Sequence, residues 1–215
     1  MSAVRGWSDQ QIAHRVIADL WEGAYVNLGV GLPILVLEEL PAGLHVLLHS
    51  ENGTLGMGPP PPEDQRDPDL MNAGGTFLSV APGGVVFDSS ESFAMLRGGH
   101  VDVALLGAYQ VSEHGDIANW KRPGQKIAGI GGAADIAVGA KQLWVMMNHV
   151  TKDGQARILR QCTFPLTAGG VVKRIYTDMA VIDVKPDGLH LLEVAPGLTA
   201  EEVATATDAP LKLPA

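Results

Sequence analysis

The chain has 215 residues, 46% hydrophobic and 18% charged, which excludes a disordered segment and a solvated charged rod and leaves room for one sizeable core. Its formal charge is −9 and it holds no cluster of Lys and Arg, so nucleic acid is excluded as a partner: neutralising phosphates takes clustered cations. Its 26 glycines follow no fixed period, which excludes a collagen-like rod and points to functional turns.

Ser8 with Gln11 predicts a capping box, and Ile12, Val16, Ile17 and Leu20 continue at helical spacing until Gly23. Residues 25–28 read as a short buried strand, Gly29-Val30-Gly31 as a tight turn, and Pro33 as the start of a helix ending before Pro41. Residues 44–49 form an apolar strand of the kind buried on both faces of a parallel sheet, running straight into Ser50-Glu51-Asn52-Gly53. Residues 53–69, with four prolines in succession from Pro59 to Pro62, predict a long loop. Further strands are expected at 76–80, 85–87, 102–106, 126–128 and 143–147, with a helix at 90–96. Ala180, Ile182 and Val184 alternate, Pro186-Asp187-Gly188 turns the chain and 189–194 returns, an antiparallel hairpin. Thr199 with Glu202 caps a final helix. This alternation predicts an α/β fold: an open, mainly parallel sheet flanked by helices, with a C-terminal antiparallel hairpin. With no repeat and no linker, a single domain over 1–215 is the expected organisation.

Cys162 is the one cysteine, so an internal disulfide is excluded and a reducing compartment is expected. It reads as a small core residue, since a thiol nucleophile needs a His and an orienting partner. The longest apolar run, residues 28–37, is far short of the roughly 20 that span a bilayer, and no stretch of signal-peptide length opens the chain. A cytoplasmic protein without membrane association is expected. His45 and His49 are four apart, on one face if both lie on a strand, but no third ligand accompanies them and no metal site is expected. No G-K-[ST] phosphate loop is present. Residues 129–134 fit the degenerate G-x-G-x-x-A dinucleotide pattern, yet no ribose-binding acid follows about 20 residues on. His100 and His114, beside glycines, read as structural.

Glu51 directly follows a buried strand, which places it at the carboxyl edge of the sheet, where open α/β folds bind ligands. No Lys or Arg is near it in sequence, so a buried carboxylate here would rely on N–H donors, expected from Asn52, Gly53 and the following glycine-rich loop. An ordinary solvated loop glutamate is the alternative. The Asn27-Leu28-Gly29-Val30-Gly31 turn either brings backbone close to a ligand or simply joins strand to helix.

The run Leu48-His49-Ser50-Glu51-Asn52-Gly53-Thr54-Leu55-Gly56 resembles the active-site signature of the β subunits of class I CoA-transferases acting on 3-oxoacids. The resemblance extends over nearly the whole chain, through residues 23–33, Met71-Asn72-Ala73-Gly74, residues 92–120, the Gly131-Gly132 turn and residues 162–167 in family order. It implies the fold shared with some sugar-phosphate isomerases and a ping-pong exchange of CoA between two carboxylic acids, with Glu51 as the covalent nucleophile. It implies backbone oxyanion donors at Gly131 and Gly132, and substrate or CoA contacts from Asn27, Gly29, Gly31, Ser50, Asn52 and Gly53. Coenzyme A is then a substrate carried as acyl-CoA, with no permanently bound cofactor. Succinyl-CoA is the implied donor and 3-oxoadipate or acetoacetate the acceptor, residues 138–151 being somewhat closer to the oxoadipate type. An α subunit is the implied partner, in an α2β2 heterotetramer. Gly75 departs from the family, where many relatives have Lys, and the loop at 59–69 is longer and more acidic than usual. Two rival readings of the same fold are a sugar-phosphate isomerase and a non-catalytic ligand-sensing domain.

Overall fold

The computed structural model describes residues 5–124 and 129–214. Helix α1 (Asp9–Ile17) opens on the expected capping box, in which Ser8 Oγ accepts the Gln11 N–H and Gln11 Oε1 accepts the Ser8 N–H at 2.8 Å. Strand β1 (Tyr25–Leu28) follows, then a 3-10 turn at Leu32–Ile34 that leads into α2 (Leu35–Glu39). Strands β2 (Leu47–Ser50), β3 (Thr54–Gly58) and β4 (Ser79–Val86) precede α3 (Ser89–Arg97), whose first N–H groups at Ser90 and Glu91 are accepted by Asp88 Oδ1. The chain continues through β5 (Val103–Gly107), β6 (Gln110–Ser112), β7 (Ile117–Ala118), α4 (Ala133–Gly139), β8 (Gln142–Met146) and β9 (Ile158–Leu159). It ends with β10 (Val172–Tyr176), the hairpin β11 (Ala180–Lys185) and β12 (Gly188–Val194), α5 (Ala200–Ala206) and β13 (Leu211–Lys212).

Ten strands form one sheet in the order β13-β12-β11-β10-β8-β5-β1-β2-β3-β4, and β7-β6-β9 form a small second one. The centre, from β10 through β8, β5 and β1 to β2, is parallel, whereas β2-β3-β4 at one margin and β10-β11-β12 at the other are antiparallel. The expected open, mainly parallel sheet with a C-terminal hairpin is therefore present.

The continuous apolar run of β5 has a direct cause. Val103 and Leu105 face one side, with Ile12 and Val16 of α1 and Val36 of α2, while Ala104 and Leu106 face the other, with Leu96 of α3, Ile136 of α4 and Val203 of α5. Helices cover both faces, so both sets of alternating side chains are buried.

Three expectations are corrected. Residues 54–58 are a strand rather than part of a loop: Leu55 pairs with His49 and Val85, and the proline run begins only after Gly58. Gly56, at φ 82°, sits where the register with β4 shifts, and a Cβ there would meet Gly84 Cα at 2.8 Å. The two strands expected at 76–80 and 85–87 are one strand, β4, which accepts Pro82 because it is an edge strand with one unpaired side. α1 ends at Ile17 and the chain turns before Gly23. The strand expected at 126–128 lies outside the described residues. Strand β10 and helix α4 have no counterpart in the sequence reading. β10 interrupts its apolar residues with Lys173 and Arg174, and α4 spans only seven residues, too few for a clear 3.6-residue period.

Candidate active site

The carboxyl ends of the parallel strands converge on a cleft of ≈ 730 Å³. Gly29 after β1, Gly107 at the end of β5, Met146 at the end of β8 and Glu51 after β2 line it, facing Gly131 and Gly132 before α4. Such a crevice outside the strand ends is where an open α/β sheet leaves backbone and side chains free to meet a ligand.

Glu51 is partly buried, and its Oε2 is sealed from solvent without a partner among the described residues. Burial raises the carboxyl above the ordinary glutamate range; its own backbone N–H and the Asn27 side-chain amide act against that rise. The donors expected from Asn52 and Gly53 are committed elsewhere. Asn52 Nδ2 donates to Met71 O at 2.7 Å, and the Gly53 N–H donates to Ser50 O at 2.9 Å. Asn27, wholly buried on β1, directs its amide nitrogen to His49 instead, 3.0 Å from Nδ1 and 3.4 Å from the backbone oxygen.

The other residues singled out from sequence fall into two groups. Gly29, Gly131 and Gly132 line the cleft with Glu51. The Gly29 N–H donates to Leu105 O at 2.8 Å, and a Cβ there would lie 2.8 Å from that same oxygen, so only glycine allows this contact between β1 and β5. Gly132 lies close to Phe93: a Cβ there would sit 2.6 Å from Phe93 Cζ, and 3.6 Å from Glu51 Cγ, an ordinary contact. The second group builds the frame behind the cleft. Ser50 Oγ donates to Asn52 Oδ1 at 2.7 Å and accepts the Ala73 N–H at 3.0 Å. A Cβ on Gly53 would lie 2.0 Å from Phe87 O, which fixes β3 against the chain entering α3. Gly31, at φ 91°, lines a separate small pocket with Asn72 and Gly74.

Sequence reading missed Arg157, a cation lining the cleft. Its Nε donates to Tyr109 O at 3.0 Å and its Nη2 to Ala108 O. Burial and then the neighbouring Arg122 hold its pKa below the usual guanidinium value, while Asp178 opposes them. No local motif marks it, because the loop that carries it reaches the cleft only through the pairing of Arg157 and Ile158 with Val111. The same holds for Ser92 of α3, which lies 2.9 Å from His49 Nε2 although 43 residues separate them.

The two histidines of the spaced pair part company. His45 precedes β2, is exposed, and sets Nδ1 2.9 Å from Glu22 Oε1, whereas His49 is wholly buried. Among the described residues no group of three His, Cys, Asp or Glu could hold a metal. Cys162 is partly buried; burial and then Asp116 push its thiol up to about 11. His100 and His114 are exposed and do not line the cleft. No helix of the described residues is long and apolar enough to cross a membrane.

Residues 10–206 match the family model described as coenzyme A transferase. The chain is 47% identical to a 3-oxoadipate CoA-transferase subunit of Pseudomonas putida over 98% of its own length and 99% of the relative's. It is likewise 47% identical to a probable succinyl-CoA:3-ketoacid coenzyme A transferase subunit of Bacillus subtilis, over 93% of each. An acyl-CoA transferase structure from Escherichia coli O157:H7 superposes with TM-score 0.75 at 24% identity; it covers 97% of this chain, which spans 42% of that longer one, a likeness of fold alone. With nearly every residue matched by the family model, and relatives of almost equal length at this identity, the chain belongs to the coenzyme A transferase family.

Proposed function

We propose that the chain is the β subunit of a two-subunit CoA-transferase that moves CoA from succinyl-CoA to a 3-oxoacid, through a glutamyl-CoA thioester on Glu51. One observation carries this reading: Glu51 stands in the cleft at the strand ends with one carboxylate oxygen sealed and unpartnered, and no ion pair to a cation of this chain accompanies it among the described residues. A carboxylate held that way is a better nucleophile than one in water or in a salt bridge, because little hydration must be stripped from it.

The chemistry needs one carboxylate. A Glu51 oxygen attacks the thioester carbonyl, and collapse of the tetrahedral oxyanion breaks the C–S bond, giving a mixed anhydride and CoA thiolate. The thiolate then attacks the glutamyl carbon, the C–O bond to the acyl carboxylate breaks, and the free acid leaves with CoA now on Glu51. The acceptor acid runs the same two steps in reverse. Each oxyanion calls for N–H donors, a role we assign to Gly131 and Gly132: both line the cleft with Glu51, and neither backbone N–H binds another described residue. Gly29 lets substrate approach the end of β1. Ser50, Asn52, Gly53 and Gly31 act here by holding the loop that presents Glu51.

Both relatives are named as one subunit of their enzyme, which supports an α partner, and an α2β2 assembly is the form we propose. At equal identity they carry 3-oxoadipate and 3-ketoacid names, which supports a 3-oxoacid as the acceptor class. The test mixes the chain and its α partner with succinyl-CoA, reduces with borohydride and locates the modified residue by peptide mass spectrometry. Reduction at Glu51 is the expected result. Absence of any modification in a complex shown to bind CoA would remove the nucleophile and favour an isomerase or a ligand-sensing domain.

A further inference from the structure

Arg157 is held in the wall of the cleft by neutral partners. Its Nε and Nη2 donate to the carbonyl oxygens of Tyr109 and Ala108, the two residues that follow β5. These bonds fix the guanidinium through one edge, and Nη1, which carries two N–H groups, binds no other described residue. Arg5, Arg15, Arg97 and Arg174 each pair with a carboxylate of the chain. Arg157, half-buried, has none within ion-pair distance among the described residues. Asp178 attracts it from farther off and spends Oδ1 on the His149 backbone N–H at 2.6 Å, while burial and Arg122 act against its charge. A cation satisfied only by neutral oxygens gains from an anion that enters beside it, because its fork is already ordered and partly stripped of water.

The sheet order sets which anion fits. Glu51 follows β2, the Ala108 and Tyr109 carbonyls follow β5, and β1 alone lies between those strands. At about 4.8 Å per strand, the two strand ends stand roughly 10 Å apart. Glu51 and Arg157 line the same cleft, so their side chains shorten that span. An extended diacid of four to six carbons sets its carboxyl carbons roughly 4 to 6 Å apart. Leu106, Met146 and Met147 also line the cleft and suit the methylenes between the two carboxyls.

The structure assigns Arg157 as a specificity-determining residue: its Nη1 end takes the distal carboxylate of a dicarboxylic acyl group whose other end reacts at Glu51. This rests on the reading of Glu51 as the nucleophile. In a ping-pong exchange donor and acceptor use the acyl site in turn, so one guanidinium serves the succinyl group and a dicarboxylic 3-oxoacid alike. A monocarboxylic acceptor such as acetoacetate offers it nothing to bind.

The test compares acids that differ only at the distal end: succinate against butyrate, and 3-oxoadipate against 3-oxohexanoate, in which a methyl group replaces the carboxylate. Kd for the first pair is measured by calorimetry and kcat/KM for the second pair as acceptors. Both use the complex with the α partner, for wild type, Arg157→Met and Arg157→Gln. Wild type should favour each diacid at least about tenfold. Arg157→Met should cut that preference about tenfold to a hundredfold, the scale of one hydrogen bond to a charged group. An arginine that only braces the wall would weaken both members of a pair equally. An unchanged ratio in Arg157→Met therefore overturns the proposal; if that variant does not fold, Arg157→Gln, which keeps a donor for one wall carbonyl, is judged by the same ratio. An equal rise in KM for succinyl-CoA and butyryl-CoA would place the cation on a CoA phosphate and overturn it too. Binding of the free acids needs no covalent step. A ratio that falls in a chain borohydride never labels at Glu51 keeps the anchor and discards the nucleophile, and a labelled Glu51 with an unchanged ratio does the reverse.

Discussion

Gly132 lies so close to Phe93 that a Cβ added to it would stand 2.6 Å from Phe93 Cζ, and that same Cβ would come within ordinary contact of Glu51, 3.6 Å from its Cγ. The backbone at Gly132, φ −80°, suits any residue, so what excludes a side chain there is contact and not conformation. Gly132→Ala should therefore fold at a cost of about 1–3 kcal/mol from overpacking. Pushing the turn off the Glu51 carboxyl should cut exchange about 10²-fold, the scale of one lost oxyanion donor. Adding Phe93→Ala to Gly132→Ala should recover part of that loss by making room. Steady-state rates of the two single variants and the double variant check this.

Glu51→Gln should abolish exchange and leave the fold intact. Its effect on stability has a sign set by burial. The folded carboxyl titrates above its unfolded value, so it binds its proton more tightly when folded; its contribution is fully present at pH values below the unfolded pKa and is lost as pH rises through the folded one. Glutamine removes that loss. The variant should melt at or above the wild-type temperature at neutral pH, with the gap closing towards pH 4. Thermal melts across that range decide it, and a less stable variant at pH 7 would show that the ionised carboxylate is better solvated than its surroundings imply.

Arg157 holds the carbonyls of Ala108 and Tyr109 at the wall of the cleft. Arg157→Met keeps much of the side-chain bulk but leaves both carbonyls without those donors. It should lower stability by about 1–3 kcal/mol, and urea unfolding measures the change. Because the guanidinium is a cation in the wall, KM for anionic substrates should rise in the same variant.

Cys162 should be nearly inert. With its thiol pushed up to about 11, roughly one molecule in a thousand carries a thiolate at pH 8, and the thiolate is the reactive form. Iodoacetamide should label the folded chain far more slowly than the unfolded chain, and Cys162→Ser should retain close to full exchange activity. A dead but folded serine variant would bring the thiol back into the mechanism.

How much of this was legible follows from which interactions are local. Both capping boxes, Ser8 with Gln11 and Thr199 with Glu202, read directly, because their partners are three residues apart. The hairpin at Pro186-Asp187-Gly188 read for the same reason. The position of Glu51 at the strand ends also followed, since a strand that runs into a polar turn can end only at the sheet edge. β3 was hidden by its glycines, and its evidence is the pairing with β2 and β4.

The sequence by itself determined the alternation of strand and helix, the carboxylate that follows β2, and, through the motif around it, the family. The tertiary structure decided what that carboxylate meets. Asn27, His49 and Ser92 come together because β1 and β2 pair in parallel and α3 packs beside them, and Arg157 reaches the wall because its backbone pairs with β6. Such contacts carry no local signal: they arise only when the sheet closes over its buried apolar faces and brings distant segments within hydrogen-bond reach.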